Sequence, residues 1–271
     1  MTTILAALDN SAAARPVLSA AAAVARLVGA VVEAVHVPEN GYRTARAAAD
    51  AAGVRLRVTS TSGVGGLLEA ASDDAVAMLV LGARATQTGR RPAGHVALEL
   101  ARSVRKPLVL VPPDSPVPVM LDRILVPLDG TSVTDQALAA TVRLACRAEV
   151  EVIALHVYDY ADLPLFSDQP HHEADAWARE FLRRHCPRPE LVKLETRVGV
   201  PGEHVLRVAR DDAVDMVALG WSRRLEEGHA TVVRDVVAGS SIPVLLVATA
   251  AAAAAVGQAP SEGRLEAPSA R

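Results

Sequence analysis

The chain carries one pattern twice. Thr3-Ile-Leu-Ala-Ala-Leu-Asp9 reopens as Arg123-Ile-Leu-Val-Pro-Leu-Asp129, and Val35-His36-Val37 returns as Leu155-His156-Val157 at the same offset. Asp73-Asp74-Ala75-Val76-x-Met78-x-x-Leu81-Gly82 returns as Asp211-Asp212-Ala213-Val214-x-Met216-x-x-Leu219-Gly220. Order, spacing and position within apolar runs are kept together, which identifies a tandem duplication. Each copy has roughly 120 to 140 residues, enough to bury its own core. The predicted organisation is a first unit over 1–111, a linker over 112–121 built on Pro112-Pro-Asp-Ser-Pro-Val-Pro118, a second unit over 122–247 and a tail over 248–271. The tail is Ala-rich and then polar, with too little apolar bulk to pack, and is expected to be disordered.

Within the first copy, strand-length apolar runs lie near Ile4–Leu8, Ala30–Val37, Val54–Val58, Ala77–Leu81 and Pro107–Val111. Helical spacing over Ser11–Val28, Tyr42–Ala52, Val64–Ala71 and Ala93–Ser103 separates them. In the second copy the strands fall near Ile124–Leu128, Val150–Val157, Leu191–Val198, Asp215–Leu219 and Val244–Val247. Its helices fall near Ser132–Arg147, His172–Arg184, Gly202–Arg210 and Ala230–Ala238. Strand and helix alternating in this way predict right-handed crossovers and an α/β fold, two tandem doubly wound parallel-sheet domains of five strands each. Pro127 argues against a central strand, because it removes a ladder donor, and a local bulge is the only account the sequence offers. The second copy also has roughly 16 to 18 extra residues between its second and third strands, the trimmed crossover belonging to the first.

Composition excludes several functions. Hydrophobic residues make up 51% and aromatic residues only 3%, which suits Ala-packed helices on a Val/Leu sheet and leaves little to stack on bases. A net charge of −3 gives no electrostatic footprint for nucleic acid. Two cysteines make no disulfide framework, and Cys146 reads as an ordinary core residue of a helix, which points to a reducing cytoplasm. No apolar run reads as a secretory signal or as a membrane span.

Open doubly wound sheets take ligands beyond the carboxyl ends of the strands, where strand order reverses. Polar and glycine signals collect there. Asp9-Asn10-Ser11 and Asp129-Gly130-Thr131 follow the first strand of each copy, and Gly82 and Gly220 close the fourth. If first and fourth strands are neighbours, these groups face one crevice.

These residues resemble the universal stress protein family, each copy looking like one domain and the whole chain like a tandem member. The resemblance covers roughly Thr2 to Val111 and Asp122 to Val247. It is carried by the strand-Asp openings, Gly199-Val-Pro201, the Asp-Asp-Ala-Val-x-Met-x-x-Leu-Gly strands, and the closing runs Lys106-Pro-Leu-Val-Leu-Val111 and Ile242-Pro-Val-Leu-Leu-Val247. It implies an adenine-nucleotide alpha-hydrolase-like fold with strand order 3-2-1-4-5, and an intrachain pseudo-dimer joined through the last strands. It also implies ATP held by the strand-one aspartate and a loop patterned Gly-x2-Gly-x9-Gly followed by Ser or Thr, whose amides close on phosphate. Both copies depart from that loop. In the first, Gly82 matches, Ala85 replaces the second glycine, the third is Gly94 one residue early, and His95 stands at the hydroxyl position. In the second, Gly220 matches, Arg223 and Ala230 replace the later glycines, Thr231 keeps the hydroxyl, and the loop is about three residues shorter.

The candidate crevice residues are therefore Asp9, Gly82, Arg84, Gly94 and His95 in the first copy and Asp129, Gly220, Arg223 and Thr231 in the second. Blander roles compete with each. Asp9 and Asp129 equally suit capping of the following helix, and Gly82 and Gly220 equally suit a tight turn. Arg84, Arg90, Arg91, Arg223 and Arg224 suit solvated loops better than phosphate contacts. Trp221 suits packing against the second-half helix better than covering an adenine. His36 and His156 read as structural. His171 and His172 are adjacent rather than a turn apart, so no metal is expected there.

The function expected is that of a non-enzymatic cytoplasmic stress-response or regulatory protein with degenerate loops and weak or no binding of ATP or another adenine nucleotide; the alternative is a member that binds ATP or a cyclic nucleotide through the residual crevice residues, with an enzyme of related nucleotide-hydrolase architecture third. No cofactor is expected. Protein partners are unspecified, a homodimer stays open, and neither nucleic acid nor membrane is expected. A pyrophosphatase, an adenylyl transferase or a phospho-accepting receiver would need Ser-Gly-Gly-x-Asp-Ser, His-x-Gly-His, or an acid pair with a strand-five lysine, and none is present as a set.

Overall fold

The computed structural model describes residues 1–38, 41–83, 93–116, 119–129, 131–145, 148–158, 179–180, 182–184, 186, 188–221 and 230–248. Arg84, Arg90, Arg91, Cys146, His171, His172, Arg223, Arg224 and the tail from 249 onward lie outside these residues, so the expectations attached to them do too.

In the first half the chain runs β1 (Thr3–Leu8), α1 (Ala14–Val28), β2 (Val31–His36), α2 (Arg43–Ala51), β3 (Leu56–Val58), α3 (Gly63–Ser72), β4 (Val76–Gly82), α4 (His95–Ser103) and β5 (Leu108–Val111). The second half runs β6 (Arg123–Leu128), α5 (Ser132–Ala145), β7 (Glu151–Tyr158), β8 (Val192–Val198), α6 (Pro201–Asp211), β9 (Met216–Trp221), α7 (Thr231–Gly239) and β10 (Val244–Ala248). Residues 179–180 and 182–184, within the helix expected over His172–Arg184, are helical. Ala248, which opens the expected tail, is the last residue of β10 and is buried. The helix expected from Ser11 starts at Ala14, because Asp9 and Ser11 are used in the turn before it.

The strands form one ten-stranded sheet in the order β3-β2-β1-β4-β5-β10-β9-β6-β7-β8. Each half has the order 3-2-1-4-5 with parallel pairing, as the family resemblance implies. The halves join where β5 meets β10 antiparallel, with Val244 opposite Leu110, Leu245 opposite Val109 and Leu246 opposite Leu108. Val109 and Leu245 hold equivalent places in the two copies, so the pseudo-two-fold axis passes between them. Pairing the last strands removes two apolar edges at once, since Leu108 to Val111 and Val244 to Val247 are all buried.

Alternation along the strands divides the interior by sheet face rather than by half. Ile4, Ala6 and Leu8 pack with α1, with Val109 and Val111, and with Ile124, Val126, Leu128, Leu245 and Val247. Leu5 and Ala7 face the other way and pack with Leu67, Leu100, Leu108, Leu110, Leu125, Val205, Val236 and Leu246. Both clusters run through the β5–β10 junction.

Pro127 makes no bulge against β7. The β6–β7 register runs unbroken from Arg123 to Leu128, with Pro127 opposite Leu155. The loss falls on the other side, where β6 pairs with β9 only at Ile124↔Met216 and Leu125↔Val217. The matching ladder of the first half continues to Ala7↔Leu81. A residue without an N–H ends the ladder on the side where its donor was needed.

Candidate functional site

At the carboxyl ends of β1 and β4 in the first half lies a cavity of about 370 Å³. Its walls are apolar where α1 and α3 pass behind it, with Val17 and Leu67, and polar at the strand ends, with Asp9, Asn10 and His36. Of the residues the sequence picks out, Asp9, Gly82, Gly94 and His95 stand around this one space.

The turn after β1 is built by side chains. Asp9 Oδ1 accepts the Ser11 amide at 3.0 Å and the Ser11 hydroxyl at 2.5 Å, and Ser11 Oγ accepts the Ala13 amide at 3.1 Å. Asp9 thus closes the turn onto Ser11 and does not cap α1, whose first residue is Ala14. Asn10 and His36 also line the cavity. Asn10 Nδ2 donates to Gly41 O at 2.5 Å, and its Oδ1 accepts the Ala45 amide at 3.3 Å in the first turn of α2. His36, only 4% exposed, sets Nδ1 2.8 Å from Leu8 O and Nε2 2.8 Å from Gly41 O. The signal for both was present in the repeated strand-end histidine and in the polar run Asp9-Asn10-Ser11.

Three helices open onto the cavity. Ala13 and Ala14 at α1, Gly63 at α3 and Gly94 to Ala97 at α4 are all lining residues. None of the three has a side-chain cap at its N-cap residue. The first turns of α3 and α4, without side-chain caps, and the helix dipoles favour a negative group at this mouth, whereas in α1 the Ala14 amide already donates to Ser11 O and Pro16 has no N–H. Gly94 is fixed from outside the helix, its amide donating to Ala83 O at 2.7 Å while the Ala83 amide donates to Val111 O at 2.7 Å. His95 is at the rim, 77% exposed in its side chain and 3.2 Å from Glu99, a contact that solvent weakens.

The second copy uses the equivalent residues differently. Asp129 Oδ1 accepts the Thr131 amide at 2.8 Å and the Thr134 hydroxyl at 2.7 Å. Burial pushes its carboxyl up, but the hydrogen bonds from Thr131 and Thr134 outweigh this and leave it below its ordinary value. Gly220 is a packing residue. A Cβ there would lie 2.7 Å from the Val133 carbonyl oxygen and 2.9 Å from Val133 Cγ1, so the start of α5 presses on the end of β9. Thr231 opens α7 behind Ala230, whose backbone is left-handed at φ 56° and ψ 32°. His156 repeats the contact of His36, with Nδ1 2.9 Å from Leu128 O, and Tyr158 stands edge-on to it at 4.5 Å. Burial pushes the Tyr158 phenol up to about 12.

Trp221 packs, but it reaches beyond the second-half helix. It is 3% exposed and donates its indole N–H to Ala101 O of α4, in the other half, at 2.7 Å. Its aromatic bulk seals the junction between halves, a role that no spacing within one copy reveals. Among the described residues, no group of three or more His, Cys, Asp or Glu is placed to hold a metal, and no helix is long and apolar enough to cross a membrane.

Residues 120–248 match the universal stress protein family. The whole chain is similar in fold to the crystal structure of a universal stress protein from Archaeoglobus fulgidus DSM 4304, at 15% identity and a TM-score of 0.59, over 91% of this chain and 98% of that one. A structure from Pseudomonas aeruginosa UCBPP-PA14, assigned to the same family, is similar at 13% identity and a TM-score of 0.63, over 94% of this chain and 96% of the other. At these identities the likeness is one of fold. No curated protein matches the chain.

Proposed function

We propose that the chain, whose residues 120–248 match the universal stress protein family and whose sheet repeats one strand order in its two halves, is a non-enzymatic stress-response or regulatory protein of the cytoplasm. In this reading it works as an intrachain pseudo-dimer with one working crevice, that of the first half. The observation that carries the reading is the contrast between the copies. The first keeps a cavity of about 370 Å³ ringed by uncapped helix starts, Gly82 and Gly94. In the second, Val133 presses on Gly220, its carbonyl oxygen 2.7 Å from where a Cβ would stand. An anion with an apolar body suits the first mouth, and Asp9, Gly82, Gly94 and His95 are its proposed contacts, together with Arg84, two residues after Gly82 in sequence.

ATP is expected to bind weakly, because the loop lacks one family glycine and displaces another. The expected dissociation constant is weaker than about 100 μM, a binding free energy of about −5.5 kcal/mol. Thermal shift against ATP, ADP, AMP and cyclic AMP, followed by calorimetry, tests this. The expected result is a small stabilisation at millimolar nucleotide with one site per chain. Stoichiometric ATP carried through purification, or two equal sites, would overturn it.

A further inference from the structure

Helix α4 is held at its two ends by different halves of the molecule. Its first turn, Gly94 to Ala97, is wall of the first-half cavity. Near its other end, the Ala101 carbonyl has no helical partner, because the helix stops at Ser103 and the residue four further on lies beyond it. That carbonyl is satisfied by the Trp221 indole from the end of β9. Ala101 is 5% exposed and Trp221 3%, so water does not replace the bond if it is lost.

A nine-residue helix is marginal alone, and order at one end depends on order at the other. Leu100, fully buried between the two ends, ties the helix to the sheet. We infer that Trp221 of the second half is a positioning residue for the first-half cavity, capping α4 so that the Gly94-to-Ala97 turn is held in place to receive a ligand. The second copy, whose own crevice is packed by Val133 against Gly220, thereby takes part in the site of the first. An anion at the start of α4 and the indole at its end stabilise the same helix, so each strengthens the other through linkage. This inference rests on the reading of the first crevice as the ligand pocket, but the contact itself is testable without ligand.

Hydrogen exchange on the full chain reads it. The Leu98 amide donates to Gly94 O at 3.0 Å, and the Gly94 amide donates to Ala83 O, so both report the cavity end of α4. In Trp221→Phe, which keeps an aromatic ring and removes the N–H, these two amides are expected to exchange at least about fivefold faster, while Leu5 and Ala6 in β1 do not change. Val208→Ala, a buried truncation on α6, serves as the control for general loosening and is expected to leave Gly94 and Leu98 as they were. Faster exchange confined to Val104, whose amide donates to Leu100 O at the far end, would overturn the inference. So would equal acceleration in the control. If Trp221→Phe does not fold, the wild-type indole resonance decides, assigned by comparison with Trp177→Phe. It is expected to shift on titration with millimolar ATP, and a fixed resonance while thermal shift shows ATP bound overturns the coupling. ATP failing to bind wild type sinks the proposed function instead, and leaves the exchange result standing.

Discussion

Single residues show that the two copies use equivalent positions differently. Ala230 occupies the place of a family glycine and keeps a left-handed backbone, φ 56°. In the first half Gly94 does not need its freedom, being extended at φ −64° and ψ 159°. A non-glycine residue in the left-handed region is strained by roughly 1–2 kcal/mol, partly offset by the greater unfolded-state entropy of glycine. Ala230→Gly is therefore expected to stabilise the protein by about 0.5–1 kcal/mol, seen as a higher urea midpoint at unchanged slope. Asp129 supplies a pH signature. Its carboxyl is held below its ordinary value in the folded chain, so its contribution is complete above the unfolded-state value and is lost as pH falls through the folded one. The stability gap between wild type and Asp129→Asn should be widest near neutral pH and close in acid. A gap that grows on acidification would reverse the assignment. These details escape the sequence, because an aspartate that caps and one that meets a ligand look alike until the donors of its hydrogen bonds are known.

Elements were more legible than their contacts. The periods of the apolar residues locate β1 to β10, and the doubled Asp-Asp-Ala-Val motif places the fourth strand of each half, because burial on both faces demands continuous Val, Leu and Ala there. Helix starts are less legible. α1 begins at Ala14 rather than Ser11, since the side-chain hydrogen bonds of Asp9 and Ser11 hold the preceding residues in a turn. The effect of Pro127 on one neighbour alone depends on which side its missing donor faced, which no linear pattern records. The approach of α5 to β9 belongs to the same class. Gly220 looks like a turn glycine, but it is what lets Val133 sit against the strand. The obstacle to a larger residue is backbone rather than a flexible side chain, so Gly220→Ala is expected to cost about 1–3 kcal/mol. Denaturant unfolding measures it, and a neutral substitution would mean that α5 can withdraw without loss.

Duplication suggests two bodies on a linker, yet at the scale of the whole molecule the two halves are bound into one. Each face of the sheet carries a cluster to which both halves contribute, and β5 pairs with β10 through the middle of both. Arg26 of α1 donates to Val119 O in the segment that joins the halves, at 2.7 Å, and Trp221 crosses the junction on the other face. The outer edges are blunted. β3 is only three residues long, and β8 carries Lys193 and Arg197 paired at 2.7 and 2.8 Å with Glu195, features that discourage further strand addition. The apolar area that would have to be exposed to part the halves lies in the most buried strands of each. Separation should therefore be as costly as unfolding, and the full chain should open as one unit. Native-state hydrogen exchange distinguishes the cases. Leu5 and Ala6 in β1 and Leu125 and Val126 in β6 are expected to share one opening free energy and one dependence on denaturant. Two separate values, with the second half opening while the first stays closed, would show that the copies kept the independence of the domains they were duplicated from.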